Sequence, residues 1–219
     1  MSRLYKLDKR FEYENGFYAT ADPSRFSKFV SHLEFFKRTS EVRGEIMEFG
    51  IFKGNSFFRW IKFRDLLEQT SSRKIIGFDI FGDFPEANFE DDKNKRADFV
   101  KETKGGKSIS YHEITTLLRE QNLQKNVEII KGDILNTLDE YLKKNPHLKI
   151  SLLHIDVDLY EPSKLILEKL YNKVTKGGII VLDDYGAFAG TNKAVDDFFK
   201  NNVEIKKLPY SNAISYIVK

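Results

Sequence analysis

The sequence LLHIDVDLY (residues 152–160) sets a short apolar run directly ahead of Asp156 and Asp158. Residues 149–155 are largely apolar on both faces of an extended chain, which predicts a strand inside a parallel sheet. An open sheet of this kind binds its ligands at the carboxyl ends of its strands. We therefore expect the two aspartates to stand at the edge of the sheet where chemistry takes place.

Outward from this stretch, strand patterns alternate with helical patterns along most of the chain. A first helix is predicted at residues 23–38, because Asp22-Pro23 fits a helix cap followed by proline at the first helical position. The predicted strands lie at residues 45–49, 74–79, 126–130, 149–155 and 178–182, followed by a hairpin of residues 203–208 and 213–218. The predicted helices between them lie at residues 56–69, 111–121, 138–144, 162–173 and 194–199. This order predicts an α/β fold, a seven-stranded doubly wound sheet that is mostly parallel with a C-terminal antiparallel hairpin.

Composition excludes several classes of protein. With 219 residues and 41% hydrophobic residues, the chain can build a substantial core. It contains no cysteine, which excludes a disulfide framework, a thiol nucleophile and a thiolate metal site. A net charge of +3 is too small to indicate a nucleic-acid partner, and no apolar stretch is long enough to span a membrane. The first ten residues match no targeting segment, so we expect a cytoplasmic protein.

Four carboxylates follow two strands that we expect to be neighbours in the sheet. Asp156 and Asp158 follow one strand, and Asp183 and Asp184 follow the next. Adjacent strands lie about 5 Å apart, so these acids would repel one another strongly unless a cation lay between them. Carboxylate ligands favour a hard divalent ion, and we favour Mg²⁺. Because Asp156 and Asp158 point to the same side of an extended chain, one can hold the ion while the other acts as a base.

A glycine-containing turn, EFGIFKGNS (residues 48–56), joins the first predicted strand to a helix. Such a turn lets the backbone approach a ligand closely, with Gly50 at the bend and Gly54 at the start of the helix. The spacing excludes a P-loop, and Phe52 occupies the position where the dinucleotide pattern needs a second glycine. Glu48 would repel a phosphate and suits a cationic ligand.

Two further aspartates follow the second and third predicted strands. Asp79 can accept hydrogen bonds from ribose hydroxyls or cap a turn. Asp133 can lie near an adenine amino group, and helix capping explains it equally well. Because no diphosphate-binding pattern accompanies them, these acids indicate an adenosine ligand without a diphosphate.

The histidines and the segment before one of them give weaker signals. No histidine has a His or Cys partner at ligand spacing, and His154 is predicted to pack in the core. His112 lies at the start of a predicted helix and is an alternative to Asp158 as the base. Residues 81–107 contain few apolar residues, which predicts a long irregular segment, either a lid or a disordered loop.

The N-terminal part of the chain reads as a helical segment, residues 1–40, ahead of a domain of residues 41–219. A contact in a homodimer and a lid over the acceptor are both open roles for this segment. The aromatic residues that suggest these roles are Phe11, Tyr13, Phe17 and Tyr18.

Several of these motifs together resemble the macrocin-type, S-adenosylmethionine-dependent sugar O-methyltransferases. The residues that carry the resemblance are 48–56, 77–79, 154–160 and 177–186. The resemblance covers roughly residues 40–200. It implies a class I methyltransferase (Rossmann-like) fold, a Mg²⁺ requirement and methylation of a hydroxyl on a small sugar-containing acceptor.

Carried over position by position, the resemblance implies metal ligation by Asp156, Asp183 and Asp184, with Asp158 as the base. The loop after the first strand would embrace the methionine part of S-adenosylmethionine, and Asp79 would hold its ribose. The residues assigned to the cofactor by the motifs and the resemblance together are Glu48, Phe49, Gly50, Lys53, Gly54, Asn55, Ser56, Asp79, Asp133 and Asp156.

Three other functions stay open. A metal-dependent catechol-type O-methyltransferase acting on a phenol would share the fold and the carboxylate cluster. A nucleotide-sugar oxidoreductase is weakened by the missing dinucleotide pattern. A non-catalytic binding module would have no need for four mutually repelling acids.

Overall fold

The computed structural model describes residues 4–103 and 105–219, and within them seven strands form one twisted sheet. The strands are β1 (Glu45–Phe49), β2 (Ile75–Asp79), β3 (Val127–Lys131), β4 (Ile150–Ile155), β5 (Val174–Leu182), β6 (Lys206–Lys207) and β7 (Ser215–Val218). Their order across the sheet is β3-β2-β1-β4-β5-β7-β6. The first five are parallel and the last two antiparallel, which confirms the predicted fold class.

Helices cover both faces of this sheet. They are α1 (Arg10–Thr20), α2 (Pro23–Arg38), α3 (Asn55–Leu67), α4 (Glu90–Glu102), α5 (Tyr111–Glu120), α6 (Ile134–Lys144), α7 (Tyr160–Leu170) and α8 (Ala189–Phe199), with short 3-10 helices at Leu7–Lys9 and Tyr171–Lys173. None of the helices in the described part of the chain is long and apolar enough to cross a membrane.

The core forms two layers, one on each face of the sheet. Trp60 and Phe57 of α3 lie in one layer, and Leu167 and Leu170 of α7 lie in the other, all with no exposed surface. Because β1, β2 and β4 have helices on both faces, nearly every residue in them is buried. This double burial is why their sequences read as apolar runs rather than as alternating patterns.

The chain order reverses between β1 and β4, which are hydrogen-bonded neighbours. The carboxyl ends of the two strands come very close together. The Asp156 amide donates to the carbonyl of Phe49 at 2.9 Å, and a Cβ atom on Gly50 would lie 1.6 Å from the carbonyl oxygen of Asp156. Glycine at position 50, with a φ of +90°, therefore permits the cleft between these strands to form.

The prediction of an irregular segment at residues 81–107 is wrong over residues 90–102, which form α4. This helix buries only Asp92, so its sequence carries no apolar stripe. Three acids in its first turn favour the helix through its dipole. Helix α1 likewise buries none of its residues and gave no pattern of its own.

Candidate active site

A cavity of about 600 Å³ opens at the carboxyl ends of β1, β2, β4 and β5. This is the position at which an open α/β sheet binds its ligands, and the volume is ordinary for a small-molecule site. The predicted site residues that line it are Gly50, Lys53, Asn55, Ser56, Asp79, Asp133, Asp156, Asp158, Asp183 and Asp184. The structure thus gathers most of the predicted residues around one space.

Four of the predicted site residues do not line this cavity. Gly54 caps α3 in a left-handed conformation, and Phe49 is buried in a stack with Phe78. Glu48 is fully buried behind the loop, where it accepts a hydrogen bond from Ser56. The expectation that Glu48 faces a cationic ligand is therefore corrected, because its carboxylate supports the loop from behind.

His112 lies exposed on α5 and is not among the residues that line the cavity. Its helix begins at Ser110, whose side chain caps the Glu113 amide, so the helix start was read correctly. A base must come within hydrogen-bond reach of the proton it removes. Of the two candidate bases, only Asp158 lines the cavity, and the choice between them stays a prediction.

Asp79 organises the glycine-containing loop. Its carboxylate accepts hydrogen bonds from the amides of Ile51 and Phe52, both at 2.9 Å, and from the amide of Phe81 at 2.6 Å. A carboxylate has about four acceptor positions, so one stays available toward the cavity. The turn-capping role is observed, and the ribose contact stays a prediction. Asp133 likewise caps α6 through the Leu135 amide.

Three carboxylates converge at the ends of β4 and β5. Single oxygens of Asp156, Asp158 and Asp184 lie within 4.8 Å of one another. Burial raises the pKa of Asp156 and of Asp184, and neighbouring carboxylates raise both further. Burial also raises the pKa of Asp158 to about 7, with the charge of Asp156 adding to it. The cluster holds more negative charge than its surroundings neutralise.

Asp158 has an unusual backbone, with a φ of 62°. Aspartate tolerates this left-handed conformation better than most residues, but it still costs free energy. Two contacts hold it there: the Asp158 amide donates to Asp184 at 3.0 Å, and the Thr191 hydroxyl donates to the Asp158 carbonyl at 3.1 Å. These contacts fix the backbone from which the Asp158 side chain enters the cluster.

Asp183 faces a different set of groups from its neighbour in sequence. Lys28 of α2 donates to its carboxylate, and Nε2 of His154 lies 3.4 Å from it. Burial alone would raise the pKa of Asp183, but Lys28 and His154 outweigh it and hold the pKa well below its usual range. The resemblance grouped Asp183 with Asp156 and Asp184, whereas here Asp158 takes that place in the cluster.

Sequence reasoning missed the groups from α2. Lys28 and His32 are one helical turn apart on the face that meets the site, and His32 is fully buried with its Nε2 4.0 Å from Asp183. His154 is buried as predicted, but it also contacts Asp183 rather than only packing. The sequence did carry a signal: Lys28 and His32 are four residues apart, on the same face of the helix as the buried Phe35 and Phe36.

Helix α4 and the loop before it cover one side of the cavity. Phe84 and Phe99 pack together there with centroids 5.0 Å apart, and both line the cavity. Asp92 anchors this helix: its carboxylate accepts from the amide of Tyr160 at 3.0 Å and from the amide of Gly190 at 2.7 Å. One buried acid thus caps the first turns of both α7 and α8.

The fold is that of class I methyltransferases. The solved structure of the calicheamicin methyltransferase CalS11 superposes with a TM-score of 0.77 at 24% identity, covering 99% of this chain and 87% of that one. The O-methyltransferase NovP superposes with a TM-score of 0.70 at 21% identity, covering 88% and 79%. An O-methyltransferase from Bacillus cereus, solved with S-adenosylhomocysteine, gives 0.55 at 16% identity, covering 99% and 93%.

The chain belongs to the macrocin O-methyltransferase (TylF) family, whose model matches residues 22–210. The resemblance drawn from the sequence motifs is thereby confirmed. Among curated relatives, the demethyldecarbamoylnovobiocin O-methyltransferase of Streptomyces niveus is 25% identical over 162 residues, 73% of this chain and 59% of that protein. A tetracenomycin rhamnosyl 4'-O-methyltransferase of Streptomyces olivaceus is 25% identical over 160 residues, covering 72% and 58%. The chain thus spans less than two thirds of both relatives.

Proposed function

We propose that this protein transfers a methyl group from S-adenosylmethionine to a hydroxyl group of a sugar-containing small molecule, with the help of a divalent cation. The observation that carries the proposal is the cluster of Asp156, Asp158 and Asp184 inside a cavity at the switch point of the sheet. Membership of the macrocin O-methyltransferase family supports the reaction class.

The names of the relatives support a sugar as acceptor. The Streptomyces olivaceus relative is named for methylation of a rhamnosyl group, and the apo CalS11 structure is titled a TDP-rhamnose 3'-O-methyltransferase. A phenolic acceptor of the catechol type would share the chemistry, but neither of these two names points to a phenol. The sugar is therefore the acceptor that we propose.

The cofactor fits the half of the cavity formed by the loop after β1. When bound there, S-adenosylmethionine supplies an electrophilic methyl group. Asn55 and Ser56, in the first turn of α3, line this half of the cavity. Asp79 holds the backbone of the loop and has one acceptor position left for a ribose hydroxyl. Holding both reactants in one cleft supplies much of the acceleration through proximity.

The carboxylate cluster fits a hard cation. Its oxygens lie within 4.8 Å of one another, and burial followed by mutual repulsion raises the pKa values of Asp156 and Asp184, an effect that a divalent ion would oppose. We propose Asp156 and Asp184 as ligands for Mg²⁺. Asp183 can join them only by exchanging Lys28 for the ion. When bound, such an ion lowers the pKa of a nearby hydroxyl and orients it.

Asp158 is the proposed base. Its carboxylate lies beside the two proposed ligands, where it can reach the proton of a hydroxyl held at the same place. Its backbone is fixed by Asp184 and Thr191, so the carboxylate is positioned before the acceptor arrives. In our proposal Asp158 would accept the proton that the acceptor hydroxyl loses, and the methyl group would pass from sulfur to that oxygen with S-adenosylhomocysteine as the leaving group.

The cytoplasmic location, the lack of a nucleic-acid partner and the homodimer stay predictions. Helix α1 exposes 68% of Phe11 and 65% of Tyr18, so an aromatic surface is present for a subunit contact or an acceptor lid. Sedimentation equilibrium of the whole chain distinguishes these two roles. A monomer at micromolar concentration would favour the lid.

Calorimetric titration with S-adenosylhomocysteine, with and without Mg²⁺ and with NAD as a control, tests the cofactor assignment. We expect micromolar binding of S-adenosylhomocysteine and no binding of NAD. Activity with sugar and phenolic acceptors, assayed side by side with S-adenosylmethionine, then tests the acceptor class. Turnover confined to phenols would replace the sugar proposal with the catechol-type reaction, and absence of S-adenosylhomocysteine binding would overturn the proposed function.

A further inference from the structure

Two arginines line the cavity without an acidic partner. Arg25 comes from α2 and Arg59 from α3. Neither belongs to an ion pair in residues 4–103 and 105–219. The arginines that form ion pairs in that part of the chain are Arg38, Arg64, Arg73 and Arg96. Arg25, which is exposed, and Arg59, which is partly buried, thus bring guanidinium groups without an acidic partner to the wall of the cavity.

The lysines of the same cavity already have partners. Lys28 donates to the carboxylate of Asp183, and Lys53 donates to the carbonyl of Lys107. The charge of Lys28 is therefore paired within the chain, and Lys53 already donates a hydrogen bond within it. The contrast singles out the two arginines as the groups available to a ligand.

The two guanidinium groups also act on each other. Burial lowers the pKa of Arg59, and the charge of Arg25 lowers it further. The charges of Glu48, Asp183 and Asp156 offset part of this effect, and none of the three forms an ion pair with Arg59 among the described residues. The one polar side-chain contact described for Arg59 is Nη1 to Nδ1 of His32, at 3.5 Å. An anion between the arginines would remove their repulsion and use their free donors.

Arg59 lies close along the chain to the loop after β1. Arg59 lies one turn after Asn55 and Ser56 on α3, on the side of the helix that faces the cavity. Guanidinium groups bind carboxylates and phosphates through pairs of parallel hydrogen bonds. We propose that Arg25 and Arg59 form a subsite for a carboxylate or phosphate group of a ligand in this cavity.

Two ligands can supply this anion, and the choice between them rests on the proposed function. One source is the carboxylate in the methionine part of the cofactor. The other is an anionic group on the acceptor, such as the phosphate of a nucleotide-linked sugar. Both use the same chemistry at Arg25 and Arg59, so the experiment must separate them.

The test compares Arg25→Gln and Arg59→Gln with charge-matched controls on the same helices. Lys37→Gln on α2 and Lys62→Gln on α3 remove a positive charge from exposed residues that do not line the cavity. The arginine substitutions should weaken anion binding about 10- to 100-fold, the usual effect of losing a charged hydrogen bond. Arg59→Lys keeps the charge and should recover part of the affinity, which excludes simple misfolding as the cause.

Three probes identify the source of the anion. S-adenosylhomocysteine carries the carboxylate, 5'-methylthioadenosine lacks it, and inorganic pyrophosphate represents the phosphate. Weaker binding of S-adenosylhomocysteine with unchanged binding of 5'-methylthioadenosine would assign the subsite to the cofactor. Unchanged binding of both, with a raised KM for a nucleotide-linked sugar and not for a neutral glycoside, would assign it to the acceptor.

The same measurements separate failure of this inference from failure of the proposed function. If the unchanged protein does not bind S-adenosylhomocysteine, the proposed function fails. The subsite would still be supported by pyrophosphate binding that Arg59→Gln abolishes and Lys62→Gln preserves. If neither arginine substitution changes the binding of any probe or the KM of either acceptor, the subsite is overturned.

Discussion

Asp183 and Asp184 are neighbours in sequence, yet their carboxylates lie in opposite electrostatic surroundings. In the bend that follows β5 the two side chains diverge: Asp183 meets Lys28 and His154, whereas Asp184 meets Asp156 and Asp158. The pKa of Asp183 falls below its usual range, and that of Asp184 rises above it. The chain supplies a direct counter-charge to Asp183, and for the side of Asp184 we propose a cation.

The largest expected effect is a slower chemical step in Asp158→Asn, on the side of Asp184. Loss of a general base typically slows the chemical step about 10²- to 10⁴-fold. Binding of S-adenosylhomocysteine should not change, because the loop after β1 is intact. Single-turnover methyl transfer measures the effect, with Asp139→Asn on α6, outside the cavity, as control. A normal single-turnover rate in Asp158→Asn would remove this residue from the mechanism.

Asp156→Asn tests whether the same side holds a cation. We expect activity to fall at least about tenfold, with a higher Mg²⁺ concentration needed for half-maximal rate. Chelation of divalent ions should lower the activity of the unchanged protein in the same way. The measurement is activity against free Mg²⁺ concentration. Turnover that survives both the substitution and the chelator would contradict the metal assignment.

The two neighbouring acids should differ in their effect on stability when divalent ions are chelated. Asp183→Asn leaves the Lys28 ammonium, whose side chain is 19% exposed, without its partner. Breaking such a pair costs about 3 kcal/mol of unfolding free energy. Asp184→Asn should leave the stability unchanged or raise it, because the amide oxygen still accepts from the Asp158 amide and the repulsion is gone. Urea unfolding measures the free energy of unfolding of both variants. An equal loss of stability in the two would contradict the difference between Asp183 and Asp184.

The smallest expected effect is a pH dependence of the unfolding free energy that comes from His154, on the side of Asp183. Burial alone would lower the pKa of His154, but its contact with Asp183 and the charges of Glu48 and Asp183 raise it to about 10. Because the folded pKa exceeds the ordinary value of 6.5, this stabilisation is complete below pH 6.5 and declines as pH rises toward 10. Between pH 7 and 8 the loss from one such group is at most ~1.4 kcal/mol.

Unfolding free energies at pH 7 and pH 8, in the unchanged protein and in His154→Gln, measure this slope. We expect the slope to be smaller in His154→Gln. His147→Gln is the matched control, since His147 lies in an exposed turn. An identical slope in all three proteins would show that His154 is neutral in the folded state and that Lys28 alone balances Asp183.

Much of the fold was readable because its signals are local. Strands buried on both faces carry unbroken apolar runs, and caps such as Asp22 and Ser110 mark helix starts in the sequence itself. Helix α4 was not readable, because its single buried residue is Asp92, whose partners lie on α7 and α8. A helix held by one distant polar contact leaves no periodic trace in its own sequence.

The site residues that directly follow strands could be predicted from the sequence. Asp156, Asp158, Asp183 and Asp184 follow strands, so topology alone gathers them at one edge. Their division into two groups was not readable, since it depends on α2 packing its basic face against Asp183. The two unpaired arginines, Arg25 and Arg59, were missed because an ion pair's absence appears only in three dimensions.

The contacts of Asp92 make the opening of α4, which covers one side of the cavity, measurable by hydrogen exchange. The amide hydrogens of Tyr160 and Gly190 are both held by this one carboxylate, so α4 cannot lift away without releasing them to water. Their exchange with deuterated solvent then reports how often the cover opens. Under the proposed function, if release of the methylated product limits turnover, that opening frequency sets the upper limit of the turnover rate.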